Sequence, residues 1–259
     1  MKSPTTAIQV LDRAVSLLDA LSHYPEPVPL KFLTADTGLH ASTAFRILAA
    51  LVAHGFVERT ESGNYVLGTR LLQLGHRVRA GTDVRREARA VMEWLRDQVE
   101  ESVNLTLREG DEVVYVERVT PARSIRVEQV IGSRAPLHVT AVGKLMLGEM
   151  DDAALQVYAT RTGLERYTRN TLTELEGLKN EARQDLAQGY ALDNEEAELG
   201  VGCIGVVIRD GSGNVVAGLS VSAPIDRRRD EWIPLVQEAG RKISARLGFT
   251  AEKGAPKPA

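Results

Sequence analysis

The run Gly38-Leu39-His40-Ala41-Ser42-Thr43-Ala44-Phe45-Arg46-Ile47-Leu48-Ala49-Ala50-Leu51 constrains the fold more than any other part of the chain. Ala44, Ile47, Leu48 and Leu51 recur at helical spacing and make one stripe for burial. The other side, Ser42, Thr43, Phe45, Arg46 and Ala49, is small and hydroxylated and carries one guanidinium. A helix facing only solvent usually carries several Lys and Glu. This one suits a helix that lies in a DNA major groove.

The flanks extend the pattern. Val10, Leu11, Ala14, Leu17, Leu18 and Leu21 form a helical stripe, which Tyr24-Pro25-Glu26-Pro27 breaks. A short helix is expected over about Leu30 to Thr37, with Leu30 and Leu33 inward. Gly38 then supplies a tight turn at a position where positive φ costs little. His54-Gly55 ends the third helix. Phe56 to Thr60 and Tyr65 to Leu67 are strand-like around the turn Glu61-Ser62-Gly63-Asn64, which predicts a β-hairpin. Three helices followed by a hairpin make a winged helix-turn-helix, placed at residues 6–68. In it Arg46 is the candidate for a base or phosphate contact, and Arg59 and Asn64 for a neighbouring phosphate or minor groove. The alternatives are a three-helix unit that docks protein, and Arg46 as a surface ion-pair partner.

Residues 69–82 read as a helical linker, with Leu71, Leu72, Leu74 and Val78 among Arg70, His76, Arg77 and Arg79. Too few core neighbours exist for these leucines within so small a unit, so a second copy of the chain is the expected partner, the alternative being packing onto the unit itself. A new helix follows to about Val99, with Asp83 as its cap and Val84, Ala88, Val91, Met92, Leu95 and Val99 on one stripe.

Residues 83–250 alternate strands and helices. Strand-like runs lie at 103–107, 113–116, 125–128, 190–192, 203–208 and 215–220, with turns at Gly110-Asp111 and Asp210 to Asn214. Helices are expected over Gly143 to Met150, Glu231 to Leu247, and Thr173 to Gln188, the last with Thr173 as cap and Glu176 completing a capping box. Hairpin-joined strands with inserted helices imply an antiparallel α+β domain. Residues 251–259 are expected to be a disordered tail.

Composition removes several classes of function. The 259 residues contain one cysteine, Cys203, so no disulfide framework or thiolate metal cluster is available. No secretory or membrane-spanning run is apparent, which points to the cytoplasm and to no membrane partner. The net charge is −3, yet residues 1–80 lean basic and the remainder acidic. Gly200-Val201-Gly202-Cys203-Ile204-Gly205 imitates a dinucleotide-binding glycine pattern, but a strand follows where a helix must begin. Asp193, Glu195 and Glu196 have no accompanying base or metal ligand. A Cys203/His138 nucleophilic pair is the one enzymatic alternative. Arg227-Arg228-Arg229 reads as a solvated loop. No catalytic residue, cofactor or metal is expected.

Taken together, these motifs resemble the IclR family of bacterial transcriptional regulators. The resemblance rests on Gly38-Leu39 with Ser42-Thr43 and Arg46-Ile47-Leu48, on Gly163-Leu164-Glu165-Arg166-Tyr167-Thr168, on Gly189 to Glu196 with Gly200-Val201-Gly202-Cys203, and on Leu219-Ser220-Val221-Ser222-Ala223-Pro224. It implies a GAF-like effector domain behind the winged helix, in a dimer or tetramer that binds a palindromic DNA operator. The implied effector is a small organic or aromatic acid. Its implied site is Ala141 and Val142, in the loop Leu137 to Gly143, with Asp193, Cys203, Ser220 and Ser222. Ser220 and Ser222 alternate on one strand and so share a face, where two hydroxyls are out of place unless they meet a polar partner.

Overall fold

A computed structural model describes residues 9–74 and 83–250, which fall into two compact units. The first contains helices α1 (Gln9–Ser22), α2 (Leu30–Thr37) and α3 (Ala41–Ala53), then a hairpin of β1 (Val57–Arg59) and β2 (Tyr65–Leu67). Gly38 ends α2 in the left-handed conformation, φ 66°, which turns the chain into α3 without a Cβ clash. Leu17, Leu21, Leu33, Ala44, Ile47, Leu48, Val57 and Tyr65 form the core. A bridge between Val28 and Tyr65 ties the hairpin to the segment before α2.

The stripe on α1 is shorter than its periodicity predicts. Leu17 and Leu21 are buried, but Val10 and Leu11 stand exposed, because the core of so small a unit closes one turn further along. Residues 69–74 begin another helix, and Leu72 and Leu74 are exposed. The rest of the expected linker, with Val78, and the expected tail lie outside the described residues.

The second unit is built on a six-stranded antiparallel sheet in the order β5-β4-β3-β8-β7-β6. Its strands are β3 (Ser102–Glu109), β4 (Glu112–Val119), β5 (Arg134–Pro136), β6 (Ala191–Asn194), β7 (Val201–Arg209) and β8 (Val215–Pro224). Helix α4 (Val84–Val99) starts at Asp83, whose carboxylate accepts the Arg85 N–H at 3.0 Å. Between β5 and β6 come α5 (Ala141–Gly148), α6 (Asp152–Thr162) and α7 (Leu175–Gln188), and α8 (Ile233–Arg246) closes the unit.

Side chains on a strand alternate between faces, and here the two faces differ: one is aliphatic throughout, and the other combines a polar patch with a second apolar cluster around Val113 and Val207. Val103, Leu105, Ile204, Val206, Ile208, Leu219 and Val221 point to one side, where α4 and α8 bury them. The other side carries Asn104, Thr106, Cys203, Gly205, Gly218, Ser220 and Ser222, as the cross-strand register requires. Helix α5 lies on its glycines. A Cβ on Gly218 would stand 2.7 Å from Val142 Cβ, and one on Gly205 would stand 2.9 Å from Val142 N.

Two expectations need correction. Residues 125–128 are not a strand: Ile125 is exposed, and Arg134–Pro136 takes the sheet edge beside β4 instead. Thr173 does not cap α7, whose N-cap is Glu174 without a side-chain bond. The Thr173 hydroxyl accepts from Arg166 Nη2 at 3.1 Å. Helix α6 was not anticipated.

Because α5 rests on the Gly218 backbone, Gly218→Val should cost about 1–3 kcal/mol through overpacking. Urea unfolding checks this, and an unchanged midpoint would contradict the close contact.

Candidate functional site

In the first unit, α3 presents Ser42, Phe45, Arg46 and Ala49 to solvent over a buried Ala44, Ile47 and Leu48. The Arg46 guanidinium makes no hydrogen bond or ion pair among the described residues, so its five N–H donors remain open. Ser42 Oγ lies 2.9 Å from His40 Nδ1. Thr43 is half-buried and, with Arg46, borders a groove against Val10, Leu11 and Arg13 of α1. At the hairpin tip Arg59 folds back: its guanidinium lies 5.6 Å from the Tyr65 ring centre, and its Nε donates to the Gly63 carbonyl at 3.4 Å. Asn64 is half-buried, and its N–H donates to Thr60 Oγ1 at 3.1 Å. The structure therefore puts Ser42, Phe45 and Arg46 on one exposed face, Thr43 at its edge, and Arg59 and Asn64 on the hairpin.

In the second unit the polar face of the sheet is not fully covered. Between it, the start of α5 and the loop after β6 lies a cavity of about 280 Å³. Five of the six residues expected there line it: Ala141, Val142, Asp193, Cys203 and Ser220. Ser222 is not among the lining residues; its hydroxyl accepts from Asn104 Nδ2 at 3.0 Å and lies 3.2 Å from Cys203 Sγ. Asp193 is buried, and its Oδ1 accepts the Glu196 N–H at 2.8 Å in a tight turn. Burial raises the pKa of Asp193 and of the Cys203 thiol. Tyr115, Thr140, Tyr167, Glu112, Glu198 and Arg134 are among the other residues of its walls. Sequence reasoning missed these residues, because a lone Tyr or Thr in a strand or turn carries no spacing that marks it.

The enzymatic pairing does not form. His138 is buried; its Nδ1 lies 3.1 Å from the Tyr158 hydroxyl and its Nε2 3.0 Å from the Glu165 carbonyl. Burial lowers its pKa. Among the described residues no group of His, Cys, Asp and Glu is arranged to hold a metal ion.

Behind the cavity sits a charge cluster that sequence reasoning also missed. Lys144 of α5 is fully buried, and its Nζ donates to Glu196 Oε1 at 2.6 Å and to Glu181 of α7. Burial opposes the ammonium, but the two carboxylates outweigh it and raise its pKa. Glu196 belongs to the loop after β6, whose Ala197 and Glu198 line the cavity, so one ammonium joins that loop to α5 and α7. The end of β6, from which that loop departs, is held by Arg228, whose Nη1 donates to the Asp193 carbonyl at 3.0 Å and to Asn194 Oδ1 at 2.7 Å. Arg227 grips the buried Glu101 through both carboxylate oxygens, at 2.7 and 3.0 Å. Arg227 and Arg228 are therefore structural rather than merely solvated, while Arg229 is exposed.

Residues 10–61 match the family described as IclR helix-turn-helix domain, and residues 76–245 match Bacterial transcriptional regulator IclR C-terminal. The chain belongs to the IclR family of bacterial transcriptional regulators. Among IclR-type relatives, the HTH-type transcriptional regulator XynR of Escherichia coli K12 is 31% identical over 249 residues, 94% of this chain and 99% of XynR. The crystal structure of Thermotoga maritima IclR is 31% identical with a TM-score of 0.61, covering 93% of this chain and all of that one. An IclR homolog from Microbacterium hydrocarbonoxydans, crystallised with 4-hydroxybenzoate, is 24% identical with a TM-score of 0.59, covering 92% of this chain and 98% of that one. Among the described residues of this IclR-family chain, no helix is long and apolar enough to cross a membrane.

Two outcomes follow from the charge cluster. Lys144→Met leaves Glu196 buried without its cation and should cost about 3–5 kcal/mol, much of which Lys144→Met/Glu196→Gln should recover. A double-mutant cycle by urea unfolding measures both. Asp185 of α7 is buried with Oδ2 unpartnered, and burial pushes its pKa up to about 6. A raised carboxyl favours folding below its unfolded pKa near 3.8, and that contribution is lost as pH rises through about 6. Asp185→Asn should therefore gain about 1–3 kcal/mol on the parent between pH 4 and pH 7, which unfolding at the two pH values reads directly.

Proposed function

We propose that this IclR-type regulator binds a palindromic operator as a homodimer or a homotetramer, and that a small organic or aromatic acid in the cavity controls the binding. On this reading the chain acts in the cytoplasm, where its DNA lies. The observation that carries the DNA half is the open guanidinium of Arg46 on a helix face otherwise made of small and hydroxylated side chains. Arg46 contacts a base edge or phosphate, Ser42, Thr43 and Phe45 pack along the groove wall, and Arg59 and Asn64 on the hairpin meet the adjacent backbone. A second copy fits the exposed Val10, Leu11, Leu72 and Leu74, apolar side chains that a lone protomer leaves in water.

The effector half rests on the cavity itself. Ala141, Val142, Asp193, Cys203 and Ser220 surround the ligand, and Ser222 acts from behind by fixing Cys203 and Asn104. The Microbacterium homolog crystallised with 4-hydroxybenzoate supports an aromatic acid as a ligand of this size. A ligand touching both α5 and the loop after β6 bears on the Lys144 cluster that joins them, and so biases the arrangement of the unit. A coupling of a few kcal/mol changes operator occupancy tenfold or more.

Gel shifts on DNA upstream of the protein's own gene test the two halves separately. Arg46→Ala should weaken binding about tenfold or more and lower the salt dependence by about one phosphate contact, with the fold unchanged by circular dichroism. Ser220→Ala should leave DNA binding intact and blunt the response to effector. Unchanged affinity in the first variant removes Arg46 from the interface; an unchanged ligand response in the second removes Ser220 from the site.

A further inference from the structure

Four carboxyl groups surround one ammonium behind the cavity. Lys144 of α5 is fully buried, and Asp185 of α7, Asp193 of β6 and Glu196 of the loop after β6 are buried with it. Glu181, the fourth acid, is partly exposed and pairs with Lys144. Three buried carboxylates beside a single ammonium leave a surplus of buried negative charge, which proteins relieve by protonation. The hydrogen bonds show where such a proton sits.

Asp193 is well supplied with donors, since its carboxylate accepts the amides of Glu196, at 2.8 Å, and of Ala197. Glu196 is not. Its Oε1 accepts Lys144 Nζ at 2.6 Å and the Asn194 N–H at 3.2 Å, but its Oε2 is buried without a partner. Asp185 repeats the pattern: Gln188 Nε2 donates to its Oδ1 at 3.0 Å, and nothing meets its Oδ2. An orphaned buried oxygen costs less as a neutral hydroxyl than as part of an anion. Glu196 Oε2 and Asp185 Oδ2 are therefore the two proton seats. Burial pushes the pKa of Glu196 up to about 7 and that of Asp185 up to about 6. Around Glu196, Lys144 opposes that shift and Asp193 adds to it. Glu181 and Asp185 act on Lys144, Cys203 of β7 on Asp193, and Arg228 meets the Asp193 carbonyl. From the segment before α7, the Thr168 and Thr171 hydroxyls donate to the Glu196 carbonyl.

The two seats differ in what carries them. Asp185 lies inside a 14-residue helix, whereas Glu196 lies in the loop between β6 and β7. Lifting that loop brings the Glu196 carboxyl into water, where it ionises near 4.5. A raised carboxyl favours the seated loop in full below about 4.5, and that contribution is lost as pH rises through about 7.

We propose that a proton on Glu196 Oε2 locks the loop between β6 and β7 onto α5 and α7, and that the lock weakens as the medium turns from acid to neutral. Ala197 and Glu198 of the same loop line the cavity, so the lock sets how firmly one of its walls is held. The device goes beyond the effector reading, because it depends on the loop and not on what the cavity holds.

Hydrogen–deuterium exchange on the full chain, corrected for the intrinsic rate at each pH, tests the lock. The amides of Glu195, Glu196, Gly200 and Val201 are hydrogen-bonded within the seated loop and report its opening. One proton released per opening makes the opening constant rise about tenfold per pH unit between about pH 5 and 6.5 and level off above about pH 7. Glu196→Gln keeps an acceptor for Lys144 but has no proton to lose, and should erase the rise. Asp185→Asn, at the other seat, should retain it. A pH-independent opening constant in the parent, or a rise that survives Glu196→Gln, overturns the proposal. So do loop amides that exchange no faster than those of β3 and β8, because the loop then never lifts by itself. Should Glu196→Gln fail to fold, infrared spectroscopy of Asp185→Asn decides. A neutral-carboxyl band present at pH 5.5 and gone by pH 8 supports the proton on Glu196, and its absence at pH 5.5 overturns it.

Discussion

The second unit is organised by the unequal faces of one sheet. Its aliphatic face, Val103, Leu105, Ile204, Val206, Leu219 and Val221, is sealed by α4 and α8 and supplies the main apolar core. Burial on that scale, at about 25 cal/mol per Å² of apolar surface, lets part of the reverse face be something other than core, beside the second apolar cluster that Val113 and Val207 form with α5, α6 and α7. There Gly205 and Gly218 remove side chains where α5 crosses, and the helix sinks to within direct contact of the backbone. Its first turn is thereby fixed at the edge of the polar patch, and the cavity is the space left where the glycine floor gives way to Ser220, Cys203 and Asp193.

Much of this was legible in the chain because period and register are linear signals. The recognition-type helix, the hairpin, the Asp83 cap and the alternation of Ser220 with Ser222 all follow from spacings of two to four residues, and the structure holds them. Register then brought Asp193, Cys203 and Ser222 into one cross-strand row, as two hairpins must. Helix α6 escaped because its outer face is not polar throughout: Leu155, Tyr158 and Ala159 are inward at the usual helical spacing, but Val157 stands exposed and blurs the contrast. Its ends were nevertheless marked, by Asp151 accepting the Ala154 N–H at 2.7 Å and by Gly163 in the left-handed conformation. Reading caps before periodicity would have found it.

What could not be read is what depends on long-range approach. Lys144 stands in the sequence as one cation within Val142-Gly143-Lys144-Leu145-Met146, with its carboxylates 37 and 52 residues away. An isolated lysine in an apolar helix asks for a partner, and that question was open to the sequence although its answer was not. Arg227 and Arg228 failed in the opposite direction. A short basic run flanked by acids looks solvated, yet Glu101 and the Asp193 carbonyl, more than thirty residues away in each case, hold these guanidiniums in the fold.

The cluster around Lys144 also explains why a stabilising core would serve this unit poorly. Replacing a buried ion pair by well-packed apolar groups is often neutral or better for stability, so stability alone gives no reason to keep an ammonium at full burial between Glu181 and Glu196. What the charges add is directionality. An apolar contact between α5 and the loop after β6 would tolerate sliding, whereas an ammonium bonded to two carboxylates from different elements has few alternative arrangements. Glu196 is poised for change within that network: burial pushes its pKa up to about 7, and its Oε2 is unpartnered. The loop that carries it is the same one that walls the cavity through Ala197 and Glu198. A site whose wall is fastened by a strong but small number of bonds can be stiff in each of two arrangements and still pass between them, which is the property that effector control requires.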